Sequence, residues 1–228
     1  VAAVIGHDFG SPVAAWCALI RPDVFCSVVL MSAPFAGPPA PPFTTAPEGA
    51  VAPATTENIH AALAALPRPR KHYQWYYSTR ETNANMYACP QGVHAFLHAY
   101  YHMKSADWQP NTPFPLQAWR ADELAKMPTY YIMNLGQGMA ETVAPEMPTA
   151  ADIAACTWLP DAELAVYSTE YSRPGSQGGL QWYRCATGGK DSLELQLFSG
   201  RTIDVPSMFI AGKSDWGVYQ RPGNFERM

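Results

Sequence analysis

The chain opens with short unbroken apolar runs separated by a stretch of mixed polarity. Val1 to Ile5 is continuously apolar and meets Gly6, the pattern of a strand buried on both faces. Ser11 to Ile20 has a small and apolar face and predicts a helix. Pro12 falls in the first turn, where a missing N–H does no harm, and Arg21-Pro22-Asp23 closes the helix. Ser27 to Met31 reads as a second buried strand. Strand, helix and strand in so short a span make a βαβ unit, which implies a parallel sheet and a right-handed crossover. Pro34 to Pro53 is then dense in Pro, Ala, Gly and Thr and predicts an extended, irregular excursion.

From Thr56 to about Gly189 the pattern is helical. Helices are expected over Glu57–Leu66, Gly92–Lys104, Ala121–Lys126, Ala150–Ala155, Pro160–Ser172 and Gly179–Thr187, with prolines and glycines between them. Near Arg201 the alternation returns to sheet character, and Ser207 to Gly212 reads as a third buried strand. The order is therefore that of an α/β protein whose single parallel sheet is interrupted by a helical lid. Residues 1–35 would form the first part of the core, 36–200 a mainly helical lid with a Pro-rich approach, and 201–228 the second part of the core.

Composition narrows the partners. Of 228 residues 48% are apolar and 15% charged, which suits a substantial core and excludes a disordered chain. A formal net charge of −4 lacks the basic footprint that phosphate binding requires, so no nucleic-acid partner is expected. No apolar run approaches the ~18 residues of a membrane span. The five cysteines (Cys17, Cys26, Cys89, Cys156 and Cys185) form no CxxC pair. An odd, scattered set reads as reduced thiols in a cytoplasmic protein.

The chemistry starts at Gly6-His7-Asp8-Phe9-Gly10. A G-x-nucleophile-x-G pentapeptide between strand and helix is a nucleophile elbow. Its central residue sits on a strained turn above the carboxyl ends of the strands, and the backbone N–H of the next residue, here Phe9, serves as an oxyanion-hole donor. Gly6 and Gly10 would let strand and helix approach closely, and His7 is expected to pack beneath the turn. With Asp8 as nucleophile the natural reaction is displacement at an alkyl carbon, giving an ester that water later cleaves. Epoxide opening and halide expulsion both have that form. The bland alternative is a Gly-rich turn in which Asp8 caps the helix.

An alkoxide leaving group needs a proton donor, and tyrosine is suited to that role. Two lid segments offer candidates, His72-Tyr73-Gln74-Trp75-Tyr76-Tyr77 and Gly178-Gly179-Leu180-Gln181-Trp182-Tyr183-Arg184. With the elbow and Ser32-Ala33-Pro34-Phe35, these segments resemble the epoxide hydrolases of the α/β-hydrolase fold. The resemblance implies a partial α/β-hydrolase sheet with a large helical cap. It also implies that Tyr73 and Tyr183 bind the epoxide oxygen, with Tyr76, about one helical turn away, as the substitute for Tyr73. Gln74, Trp75, Tyr76, Trp182 and Trp216 would line the substrate pocket. A small apolar epoxide and water are the implied reactants, with no cofactor and no metal. Phe9 stands where this family and the haloalkane dehalogenases usually carry Trp. Phe cannot donate a hydrogen bond to a halide, which weighs against a haloalkane or haloacid dehalogenase. A non-catalytic protein that binds a hydrophobic ligand is the third reading.

Ester hydrolysis needs a general base, normally His held by a carboxylate. Asp215, in Gly212-Lys213-Ser214-Asp215-Trp216, follows the third strand as the family's acid does. No histidine follows it, and no His-Gly-x-Pro-like loop precedes the elbow. The chain also begins inside an apolar run rather than at Met. The expectation is a piece of a longer protein, with a bare apolar edge on the first strand. His94, His98 and His102 recur every four residues and would stack along one helix face. Without an HExxH glutamate or an evident carboxylate partner, that face reads as solvated or pocket-lining rather than metal-binding.

Overall fold

The computed structural model describes residues 1–40, 58–188 and 192–228. In chain order the elements begin with β1 (Ala2–His7), α1 (Gly10–Ile20), β2 (Phe25–Met31), α2 (Ile59–Ala64) and β3 (Arg70–His72). They continue with α3 (Tyr73–Tyr77), α4 (Glu81–Tyr87), α5 (Gly92–Lys104), α6 (Ala121–Leu124), β4 (Ile132–Asn134) and α7 (Met139–Val143). The last are α8 (Ala150–Ala155), α9 (Asp161–Tyr171), α10 (Gln177–Gly188), α11 (Ser192–Leu195) and β5 (Ser207–Ile210). Of the Pro-rich excursion, residues 41–53 lie outside the described residues, as does Glu57 at the head of the first expected lid helix.

The chain divides into two compact units. One gathers Val1–Thr56, Pro113–Trp119 and Lys190–Met228, the other Glu57–Thr112 and Arg120–Gly189. The segment Pro113–Trp119 thus groups with the sheet, although it lies within the span read as lid. Aromatic contacts hold it there: Phe114 meets Trp216 edge-on at 5.1 Å between ring centroids, and the Arg221 guanidinium lies 5.2 Å from the Trp119 ring centroid.

The first unit is a parallel sheet of order β1-β2-β5 with α1 against it. Val4 pairs with Val28, and Leu30 pairs with Phe209. Ala14, Ala15 and Ala18 of α1 are fully buried with Val28 and Leu30, and Val4, Phe25, Phe35 and Phe209 close around them. Small alanines let the helix lie close to the sheet, and burying a Val or Leu side chain contributes about 1.5–3 kcal/mol. Burial alternates along β1: Gly6 is buried and Val4 half-buried, while Ala3 and Ile5 are exposed. Two expectations are corrected here. The strands are not buried on both faces, because α1 covers only one; Ile5 is 66% exposed and Met208 58%. Nor does sheet character resume at Arg201: the first backbone bond to β2 is from the Val28 amide to the Pro206 carbonyl, and β5 begins at Ser207.

The second unit is helical, with a short antiparallel pair in which Arg70 faces Asn134 and His72 faces Ile132. Its core is built from Leu63, Met103, Leu124, Ile132, Met133, Met139, Val143 and Leu164. The Arg70 guanidinium donates to the Ile132 carbonyl at 2.8 Å, giving a buried N–H a partner across the pair. Local chemistry explains the helix ends. The Asn58 side chain accepts from the His60 and Ala61 amides and starts α2. Thr149 and Asp152 form a reciprocal capping box at α8. The pattern of the sequence does not predict α3, α4, α7, α11, β3 or β4. No helix among the described residues is long and apolar enough to cross a membrane.

Candidate active site

At the carboxyl edge of the sheet, β1 is followed by Asp8 with φ +53° and β2 by Ser32 with φ +71°. These two are the only non-glycine residues with positive φ among those described. Such conformations persist only where the surroundings over-determine them, and they concentrate at functional sites. Here the surroundings are hydrogen bonds along the strand ends. The Asp8 amide donates to the Met31 carbonyl at 3.1 Å, and the Ser32 amide donates to the Ile210 carbonyl at 3.0 Å. The Ser11 amide donates to the Asp8 carbonyl at 3.0 Å, and its hydroxyl donates to the Ala33 carbonyl at 2.6 Å.

Phe9 follows in helical conformation and opens α1, so Asp8 lies at the positive end of that helix. Gly6 is indispensable to this turn: a Cβ there would lie 1.9 Å from the Gly10 carbonyl oxygen. Gly10 is not, since a Cβ built on it meets nothing within 4 Å. The expectation that both glycines permit the close approach is corrected to Gly6 alone. His7 is exposed rather than packed beneath the elbow.

Asp215 follows β5. Its carboxylate accepts the Gly217 amide at 2.7 Å and starts the single turn Trp216–Val218. It therefore caps this turn; an N-capping carboxylate keeps further acceptor sites, so a catalytic role is compatible with the cap. Across the sheet, Asp8 and Asp215 terminate strands separated by β2, about 10 Å at ordinary interstrand spacing. Trp216 is buried, and its indole N–H has no hydrogen-bond partner among the described residues. Sequence reasoning missed Ser32 and Gly217. A Cβ on Gly217 would stand 2.3 Å from the Ser32 hydroxyl and 2.8 Å from an Asp215 carboxylate oxygen, so the absence of a side chain lets the two loops touch.

The two tyrosine segments come together within the helical unit. The Ser78 hydroxyl is within hydrogen-bond distance of the Gln74 carbonyl at 2.8 Å, the Tyr183 carbonyl at 3.0 Å and the Thr187 hydroxyl at 2.7 Å, linking α3 to α10. The Tyr73 and Tyr183 rings then lie 5.8 Å apart edge-on, with Tyr77 5.5 Å from Tyr73 and 4.9 Å from Tyr183. Gln74 donates to the Tyr73 hydroxyl at 3.3 Å. Trp75 stands edge-on to both His60 and His72, and Trp182 is half-buried.

The Tyr76 hydroxyl is bonded away from the Tyr73 and Tyr183 rings. Its hydroxyl donates to Asn85 Oδ1 at 2.7 Å and accepts the Met139 amide at 3.2 Å, and Lys71 lies over its ring. The neighbour of both rings is Tyr77, whose hydroxyl donates to that of Tyr100 at 3.2 Å. Burial, followed by the nearby Tyr100, raises the Tyr77 hydroxyl well above the ordinary tyrosine range. Burial also raises that of Tyr76. Both remain protonated donors at neutral pH.

No family model matches the chain. Among characterised proteins it is 27% identical over 217 residues to epoxide hydrolase B of Mycobacterium tuberculosis, covering 94% of this chain and 58% of that one. To epoxide hydrolase A of the same organism it is 41% identical over 58 residues, 25% of this chain and 17% of that one. Among solved structures, an epoxide hydrolase from an endophytic Streptomyces superposes with a TM-score of 0.63 at 27% identity, over 94% of this chain and 53% of that one. Epoxide hydrolase A of Mycobacterium thermoresistibile gives 0.61 at 24% identity, over 99% and 58%. The chain thus spans little more than half the length of the full-span relatives it matches. It carries a partial α/β-hydrolase fold with a helical cap, and the proteins it is similar to are epoxide hydrolases of that fold.

Proposed function

We propose that the protein opens epoxides through an ester on Asp8. The observation that carries this reading is the Asp8 backbone: a carboxylate held at φ +53° on a strand-to-helix turn above the sheet. A carboxylate oxygen of Asp8 attacks an epoxide carbon, the carbon–oxygen bond breaks, and the departing alkoxide takes a proton from Tyr73 or Tyr183. The Phe9 amide serves the oxyanion of the later hydrolytic step. That step adds water to the ester and releases a diol, with a histidine held by Asp215 as general base. Since no histidine follows Asp215 in the sequence, these 228 residues alone are proposed to be alkylated once and not regenerated. An apolar substrate is favoured by Trp75, Trp182 and Trp216, and a cytoplasmic setting by five free cysteines.

Incubation with an aryl epoxide, followed by intact-mass measurement and peptide mapping, tests this. The expected result is one substrate equivalent on the peptide containing Asp8, absent in Asp8→Asn, with diol not exceeding one equivalent. Labelling confined to Cys26 and Cys185, the exposed thiols, would refute the nucleophile. Halide release from a haloalkane with no epoxide adduct would transfer the reading to a dehalogenase. No adduct with either substrate class would leave hydrophobic-ligand binding.

A further inference from the structure

The histidine-bearing helix α5 meets a carboxylate that its own sequence neighbourhood does not contain. Asp161, the first residue of α9, reaches both of its inner histidines: Oδ1 lies 2.9 Å from His94 Nε2 and 3.3 Å from His98 Nε2. His94 and His98 are one turn apart on one helix face, with ring centroids 5.6 Å from each other. The three donor atoms all fall within 4.8 Å of one another. His102, one turn further, does not join them. It lines a cavity of about 340 Å³ with His98, Asp152, Cys156 and Trp158.

We propose that His94, His98 and Asp161 bind a divalent transition-metal ion, zinc above all, which staples α5 to α9. Proton accounting supports an ion at the convergence point. The Ser168 hydroxyl lies 3.1 Å from the Ala165 carbonyl, to which it donates, and 3.0 Å from His94 Nδ1. With that hydrogen on Ala165, Ser168 accepts from His94 Nδ1–H, and in that tautomer His94 Nε2 turns its lone pair to Asp161. A lone pair facing a carboxylate repels it unless a proton or a cation lies between. With a cation there, Ser168 becomes the outer partner that fixes the imidazole orientation.

The donor set suits zinc. Two imidazoles and a carboxylate bind it at about 2.0–2.2 Å, which sets tetrahedral donors about 3.4 Å apart. The His98 to Asp161 separation already matches. The His94 to Asp161 separation needs to open by about half an ångström, and a 62% exposed Asp161 side chain has room to turn. His94 is 41% exposed, so solvent reaches the site, and a water completes the fourth position.

The site belongs to the helical unit and needs nothing from Asp8. The test uses the 228-residue chain after its accessible thiols have been blocked with iodoacetamide, so that cysteines do not compete. Titration with zinc chloride in a calorimeter should give one equivalent bound. Nitrogen-15 spectra should move His94 and His98 Nε2 to metal-bound shifts while His94 Nδ1 stays protonated. His94→Ala, His98→Gln and Asp161→Asn should each weaken zinc at least about tenfold, in variants whose circular dichroism matches the parent. Absence of zinc uptake would leave the cluster as an ion-pair network and overturn the proposal. So would binding that survives both histidine replacements.

Discussion

The carbonyl oxygen of Gly10 occupies the place a side chain on residue 6 would need, 1.9 Å from the position of its Cβ. The obstacle is helix backbone, so it cannot swing aside. Gly6→Ala should therefore cost roughly 4 kcal/mol or more, or abolish folding. Gly10→Ala should stay within about 1 kcal/mol and on the stabilising side, because alanine has less freedom to lose on folding. Urea unfolding of the two variants checks the asymmetry. Equal losses at both positions would mean that the turn is not built this way.

The tyrosines divide by what their hydroxyls hold. Removing the Tyr76 hydroxyl strands the Met139 amide, beneath a fully buried side chain, and takes one donor from Asn85, which keeps the Ala140 amide and Glu141. Tyr76→Phe should cost about 1–3 kcal/mol and leave the rate of Asp8 alkylation unchanged once the protein is folded. Tyr183→Phe, on the proposed role, should slow alkylation by on the order of a hundredfold. Thermal unfolding and single-turnover mass spectrometry separate the two effects.

The contrast between Tyr76 and Tyr77 shows where the sequence is legible. The five-residue helix α3 is too short to display a period. A phase error of one residue turns a side chain by about 100° on a helix, enough to mistake Tyr76 for a partner of Tyr73. Longer or capped segments read well: α5 and α8 have the expected bounds, the latter because Thr149 and Asp152 advertise its start. The elbow was legible because its glycines and carboxylate lie within five consecutive residues. Contacts of long reach were not. Asp161 stands 67 residues from His94, and Ser32 meets Gly217 only after the whole cap has intervened.

That last contact makes a testable pair. A methyl on residue 217 would press on the Ser32 hydroxyl and the Asp215 carboxylate. Gly217→Ala should cost about 1–3 kcal/mol, the usual range for overpacking. Ser32→Gly removes the nearer obstacle and suits a backbone at φ +71°. The double variant should therefore be more stable than the sum of the singles predicts, by about 0.5–2 kcal/mol. Strict additivity in a denaturation cycle would show that the two loops do not meet.

Stability should fall at alkaline pH. Burial pushes the Tyr101 hydroxyl up to about 12, and that of Tyr77 well above the ordinary 10.0. Above pH 10 the unfolded chain releases these protons while the folded chain retains them. The unfolded state is then favoured as pH rises through the folded values, and the contribution is fully present below pH 10. Melting temperatures measured from pH 9 to 11.5 should decline, and Tyr101→Phe should flatten the decline. An identical slope in the variant would remove Tyr101 from the account.

Exposed apolar side chains lie on the outer strands of the described sheet. Ile5 on β1 is 66% exposed and Met208 on β5 is 58% exposed, and each strand pairs only with β2. An edge strand with unpaired amides and apolar side chains is a template for pairing with a second copy, and natural sheets guard such edges with lysine. The 228-residue chain should therefore self-associate as its concentration rises. Ile5→Lys and Met208→Lys should each shift the population toward monomer, and together more than either alone. Neither position packs in the core around Val28 and Leu30, so melting temperature at low concentration should hardly change. Sedimentation velocity over a concentration series reads the outcome, and a parent chain that stays monomeric throughout would show that these edges are protected.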